Sequence, residues 1–192
     1  HNEEHYTTAA DMAKILQYAL SVDGFRDYFG AAMTVRIYKK WGGSAVDIAR
    51  ANPYRLCNEV EGIGFERTDA MAQSLGMAGD NEERIKSGIL YMLRSNSAQN
   101  GHVCLPRDKL VAGAAKLLGV EESAADAAVS RLLGDNRVCY SMFDGTQYLY
   151  DSRVYAQEVY IAEKLVLLDK LCASVDAGDV HAFIKNEERK SG

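Results

Sequence analysis

Val60-Glu61-Gly62-Ile63-Gly64-Phe65 lies between a short apolar segment, 53–57, and a longer helical pattern, 65–75. Apolar, Gly, apolar, Gly and then a helix is the wording of a helix-hairpin-helix turn. Gly62 and Gly64 can take backbone angles that a Cβ forbids. Without side chains they also let a large partner approach the main chain. Ile63 between them can plug the gap between two helices. The second helix then opens with unpaired N–H groups and the positive end of its dipole, and helix N-termini of this kind bind phosphate. The stretch therefore predicts non-specific contact with a nucleic-acid backbone. The same glycines serve a tight turn in an all-helical core, and on the turn alone that structural reading comes first.

Upstream, Asn52-Pro53 starts a short helix into the turn, with Pro at the first helical position, where its missing N–H is harmless. Before it, Gly42-Gly43 stops a helix over 31–41 and Ser44 caps the next one, through Ala51. In the 31–41 helix, Met33, Ile37 and Trp41 point inward, and Arg36, Lys39 and Lys40 share another face at i, i+3 and i+4. Phe25 to Phe29 is a short amphipathic turn ending at Gly30, and Thr7 and Thr8 cap a helix through Leu20. This half reads as two successive helix–turn–helix units. The first carries Gly30-Ala31-Ala32 where the second carries Gly62-Ile63-Gly64.

Downstream, the polar stretch 77–81 marks a boundary, and Asp80 or Asn81 caps a long helix to about Ser97. A strand at 102–105, a helix opened by Pro106 and ended by Gly119, and a helix over 121–133 follow. Two β-rich runs, 137–143 and 146–150, are joined by Asp144-Gly145, a hairpin pair. Helix, strand, helix, helix, hairpin is the order of a winged helix-turn-helix. A last helix runs from Tyr155 to about Ala173, and a polar tail ends the chain. The expected fold is mainly α: a tandem helix-hairpin-helix region at 1–79, a winged-helix-like region with a small β-hairpin at 80–151, and a linker helix with its tail at 152–192.

The 47% hydrophobic and 26% charged residues of this 192-residue chain are those of an ordinary globular protein with a real core. Net charge is −5, whereas a dedicated nucleic-acid binder carries a basic excess. Any DNA contact is therefore a local patch, weak and salt-sensitive. Four scattered cysteines, Cys57, Cys104, Cys139 and Cys172, form no Cys-x-x-Cys pair, which argues against zinc and for reduced thiols in a cytoplasm. No signal peptide or membrane-length apolar run is present. The chain starts at His1 rather than Met, and the expectation is a piece of a longer protein.

Nothing in the chain looks catalytic. It has neither Gly-x-x-x-x-Gly-Lys-Ser/Thr nor Gly-x-Gly-x-x-Gly, and its four histidines are scattered. Glu82-Glu83 and Glu121-Glu122 complement helix dipoles. The helix over 121–133, placed where a winged helix reads DNA, carries Glu121, Glu122 and Asp126 against one basic residue, Arg131. Its carboxylates repel phosphate, so this region reads as a packing or protein-contact module.

Four stretches in order resemble the RecD-like ATP-dependent DNA helicases, the exodeoxyribonuclease V alpha-chain family, in the branch with a long N-terminal extension. They are Asn52-Pro53-Tyr54-Arg55-Leu56, Glu61-Gly62-Ile63-Gly64-Phe65, the run from Glu83 to Tyr91, and Gly101-His102-Val103-Cys104-Leu105-Pro106. Ile37-Tyr38-Lys39-Lys40-Trp41-Gly42 resembles that branch's first hairpin helix. The resemblance covers about 25–150. It implies a parent 5′-to-3′ DNA helicase of DNA repair, whose ATP- and Mg-dependent motor lies outside these residues. It implies contact with DNA backbone, single-stranded or forked, or docking on the motor domains. No cofactor, membrane or small-molecule substrate is expected for this piece. Three positions depart from the family pattern: Thr68 stands where Ala is usual, Glu66 where the residue is often basic, and the first hairpin lacks Gly-x-Gly. The expected DNA-contacting residues are Gly62, Ile63, Gly64 and Arg67 at the second hairpin, with Arg36, Lys39 and Lys40 beside the first. The alternative is a structural module that docks on the motor or a partner and binds no DNA.

Overall fold

The structure is a computed structural model and describes residues 25–172 and 177–191. The expected helix from Thr7 to Leu20 lies outside them. The chain forms two compact units, one up to Ser152 and one from Arg153 on.

In the first unit, α1 (Phe25–Trp41) bends at Gly30, whose φ of 70° and ψ of 169° are not helical. The bend falls where the sequence places the first hairpin turn. A 3₁₀ turn at Gly42–Ser44 leads into α2 (Ala45–Ala51). Ser44 stands at the N-cap, but its side chain makes no capping bond. The next helix, α3 (Arg55–Glu59), starts two residues later than the proline rule predicts. Asn52 accepts the Tyr54 N–H on Oδ1 at 3.0 Å, so a side-chain turn forms first and Pro53 precedes the helix. Then come the glycine turn and α4 (Phe65–Ser74).

Asn81 caps α5 (Glu82–Asn100), accepting the N–H groups of Glu83 at 2.9 Å and Arg84 at 3.3 Å. This helix runs three residues beyond the expected end, to left-handed Gly101. Strand β1 is Leu105–Pro106, later than expected, and α6 (Arg107–Leu118) begins after the proline. Pro106 has no N–H to donate and keeps an extended ψ of 140°, so it closes the strand rather than opening the helix. After α7 (Glu122–Gly134), β2 (Val138–Phe143) and β3 (Thr146–Asp151) form the hairpin. Asp144 and Gly145 both have positive φ, 46° and 75°, as a two-residue hairpin turn requires. The antiparallel sheet has the order β1-β3-β2, with Leu105 opposite Leu149 and Tyr140 opposite Leu149 on the other side.

Two apolar clusters hold the unit. One packs Ile89, Leu90, Leu110, Val129 and Leu132 of the three long helices against Val138 and Leu149 of the sheet. The other joins the two hairpins through Phe29, Ile37, Ala49, Leu56, Ile63 and Met71. Helix α4 serves both, because Phe65 and Ala72 belong to the first and Met71 to the second. Phe65 lies between Tyr54 and Tyr91, at centroid distances of 6.1 and 5.4 Å.

The second unit contains most of α8 (Ser152–Leu171) and all of α9 (Ala177–Ser191). The sequence read as a polar tail is thus helical over most of its length. Its Val180, Phe183 and Ile184 follow helical spacing, and Lys190 pairs with Glu187 one turn back.

Candidate nucleic-acid interface

The glycine turn is built from the end of α3. The Val60 N–H donates to the Leu56 carbonyl at 2.9 Å, and the Ile63 N–H reaches the Val60 carbonyl at 3.3 Å. Gly62 has φ +87°, where L side chains are strained. A Cβ there would also lie 3.0 Å from Arg36 Nη1 and 3.2 Å from Met33 Cε. Ile63 is buried at 7% exposure, packed in the cluster with Ile37, Leu56 and Met71, as a plug between the hairpins. Gly64 is different in kind. It is the N-cap of α4 with φ −81°, and a Cβ there would meet nothing within 4 Å. No side chain caps this helix. The first N–H groups of α4 therefore open beneath a bare, exposed residue.

The cations of α1 come to this turn. Arg36 Nη1 donates to the Glu61 carbonyl at 3.3 Å, and Lys40 Nζ donates to the Glu59 carbonyl. Lys40 therefore covers the carbonyl of the last residue of α3, and Arg36 a carbonyl of the turn itself. Lys39 and Arg67 are exposed, the latter in the first turns of α4. Arg36 is thus tied to the glycine turn and Lys40 to the end of α3, while Lys39 and Arg67 are exposed. Trp41 is half-buried, and the Arg55 guanidinium lies 5.5 Å over its ring. Arg55 also holds Glu59 in a two-bond pair at 2.6 and 3.1 Å, which keeps the Glu59 carboxyl below its ordinary range.

Two departures from the family pattern find physical explanations. Thr68 is fully buried, and its hydroxyl donates to the Gly64 carbonyl at 3.1 Å, so the extra oxygen is satisfied one turn back. Glu66 accepts the Tyr91 hydroxyl at 3.2 Å, which ties its carboxylate to α5.

Beneath the turn lies a polar network that the sequence reading missed. Arg84 grips Asp69 through Nε at 2.8 Å and Nη2 at 3.1 Å, and its Nη1 donates to the carbonyls of Gly79 and Leu118. Tyr54 donates to the same Asp69 at 2.7 Å. The bond to Asp69 holds the Arg84 guanidinium above its ordinary pKa. Burial first, and then the Asp69 bond, push the Tyr54 hydroxyl well above its ordinary value. The three residues are 15 apart in sequence, and no periodic pattern marks them.

Four other basic side chains of α5, α6 and α7 face carboxylates, whereas Lys109 and Lys116 of α6 are exposed with no ion pair among the described residues. Arg94 meets Asp151 at 2.7 Å, Arg107 meets Asp126 at 2.8 Å, and Arg131 meets Glu82 at 2.5 Å. Lys86 meets Glu82 at 2.8 Å and Asp135 at 3.3 Å. A cleft of about 650 Å³ between the starts of α6 and α7 and the β-hairpin is lined by Asp108, Glu122 and Asp126, with Arg107 held by Asp126. This surface repels phosphate. Among the described residues no group of acidic, His or Cys side chains could hold a metal, and no helix is long and apolar enough to cross a membrane.

Residues 26–104 match the family model described as the ATP-dependent RecD2 DNA helicase HHH domain. The hairpin region of this chain is a RecD2-type helix-hairpin-helix domain. The match begins within α1 and ends just before β1, and so takes in both hairpins and α5. The chain is also 30% identical over 135 residues to the ATP-dependent RecD2 DNA helicase of Deinococcus radiodurans. The match covers 67% of this chain and 18% of that protein, so the chain spans about a fifth of the relative's length.

Proposed function

We propose that this region is a non-catalytic accessory part of a RecD-like ATP-dependent DNA helicase, and that its second hairpin contacts DNA backbone near the fork without reading sequence. The observation that carries this reading is the uncapped start of α4 under bare Gly64, with Arg36 and Lys40 held at the same turn. Helix N–H groups would meet a phosphate, and Arg36, Lys39, Lys40 and Arg67 would add attraction. The relative's name supports a helicase parent. The residues present do not fit ATP, because the chain has no phosphate loop, so ATP and magnesium would be handled elsewhere in a longer protein.

The test is fluorescence anisotropy of labelled single-stranded and forked DNA at low salt. Lys39→Glu with Arg67→Glu is expected to weaken binding about tenfold or more and to flatten the salt dependence, since each lost phosphate contact removes released counterions. Unchanged affinity and salt slope in that variant would reject the basic patch as the contact.

A second reading is favoured by the net charge of −5 and the acidic cleft. In it, the helix–strand–helix–helix–hairpin region is a winged-helix-like module that docks on the motor or on a partner protein. Absence of any DNA binding at low salt would favour it.

A further inference from the structure

Helix α8 buries none of its residues. Its twenty residues span roughly 30 Å. Leu165 and Leu168 share one direction around its axis, Val159 and Val166 a second, and Leu167 and Leu171 a third, the directions being roughly 120° apart at 3.6 residues per turn. These six side chains are 38% to 73% exposed. Thin charged seams separate the stripes: Glu158 with Asp169, Glu163 with Lys170, and Lys164. A helix apolar on every side is an interior helix. The charged seams keep it from qualifying as a membrane span.

The pattern selects among occupants. A second copy of α8 in a two-stranded coil would cover one stripe and leave two in water. A body that closes on the helix from several sides covers all three. The relative supplies the place for such a body, because the matched segment is 18% of its length. A tethered domain also binds at an effective concentration that reaches the millimolar range, with no separate association step. We infer that α8 is the docking helix of this region and inserts into a groove of the ATPase domains of the same polypeptide. This deepens the docking reading and rests on the parent being a helicase. It is independent of the hairpin turn.

The test mixes the intact 192-residue chain with the separately produced ATPase region of the same gene product, followed by size exclusion with light scattering. The expected result is a 1:1 complex, weakened at least tenfold both by Leu165→Asp with Leu168→Asp and, separately, by Val159→Asp with Val166→Asp. Unchanged thermal unfolding of the chain in both variants shows that the first unit remains folded. A homodimer of the chain that one stripe's variant abolishes overturns the inference, and so does a complex indifferent to both variants or no complex at all. Lys39→Glu with Arg67→Glu should leave the complex intact while lowering DNA affinity, so failure of the docking inference and failure of the DNA reading give different results.

Discussion

Two cations beside the glycine turn and four in the three-helix region are held in opposite ways. Arg94, Arg107, Arg131 and Lys86 each face a carboxylate, which cancels their charge at close range. Arg36 and Lys40 instead donate to backbone carbonyls. A carbonyl fixes the side chain by its dipole but leaves the formal positive charge in place. Basic residues alone therefore do not mark a phosphate-binding surface. What matters is whether the partner that positions the cation also neutralises it. A net charge of −5 hides this difference, because it averages cations paired with carboxylates and cations that keep their charge.

The largest effect is expected where the two regions meet. Arg84, on α5, is 9% exposed and pairs with Asp69, on α4, which is 13% exposed. Arg84→Ala leaves Asp69 buried without its cation and is expected to cost about 3–5 kcal/mol, the range for breaking a buried pair from one side. Urea unfolding followed by circular dichroism measures it. A loss under about 1 kcal/mol would mean that apolar packing at Phe65 and Ala72 holds the regions together without the network.

Next come the two glycines of the turn, which the sequence treats alike and the structure does not. Gly62→Ala meets both a positive φ and the Arg36 and Met33 side chains, and should cost about 1–3 kcal/mol. Gly64→Ala has ordinary backbone angles and open space around it. Its stability should stay within about 0.5 kcal/mol of the parent chain. Thermal unfolding of the pair separates a structural glycine from one kept bare for a partner.

Much of this was legible from residue chemistry. Asp144-Gly145 favours positive φ at both positions, and Asp80 and Asn81 both offer a capping oxygen before α5, so the hairpin could be placed and the helix start narrowed to two residues, of which Asn81 makes the cap. Ile63 was expected as a plug because an apolar residue between two glycines has no other good place. The shared role of Arg36 and Lys40 was harder to see. Helical spacing puts them on one face, but only the fold shows that the face meets the carbonyls of Glu61 and Glu59, which lie 25 and 19 residues away in the chain. The Tyr54, Asp69 and Arg84 network is hidden for the same reason, since side-chain polarity says that a partner is needed and not which one. Pro53 and Pro106 misplaced element boundaries because proline tolerates several extended positions next to a helix. At Asn52 a side-chain turn took the place of the first helical turn.

On DNA the same comparison predicts a split. Gly64→Ala should weaken binding to single-stranded DNA about tenfold, because its Cβ stands between the helix N–H groups and an approaching phosphate. Arg107→Gln should leave DNA affinity unchanged, because that guanidinium already serves Asp126, Gln147 and Ser130. Anisotropy titrations at matched salt compare the two. If Arg107→Gln weakens binding and Gly64→Ala does not, the contact lies on the cleft beside the β-hairpin.

The smallest effect is a pH dependence that only a carboxylate-paired cation can produce. The Arg107 guanidinium beside Asp126 holds that carboxyl below its ordinary value. A depressed pKa in the folded state contributes stability above the unfolded value, near 3.9 for Asp. That contribution is lost as pH falls through the folded value. The pair is partly exposed, at 27% and 48%, so water screens it and about 0.5 kcal/mol is expected at pH 7. Asp126→Asn should therefore be slightly less stable than the parent chain at pH 7, and the two should converge near pH 2, as read from urea midpoints across that range. Lys39 has no carboxylate within ion-pair distance among the described residues, and Lys39→Gln should leave the pH profile unchanged. A matching acid shift in Lys39→Gln would show that its charge is already neutralised in the free chain, and the contrast between the two regions would fail at that residue.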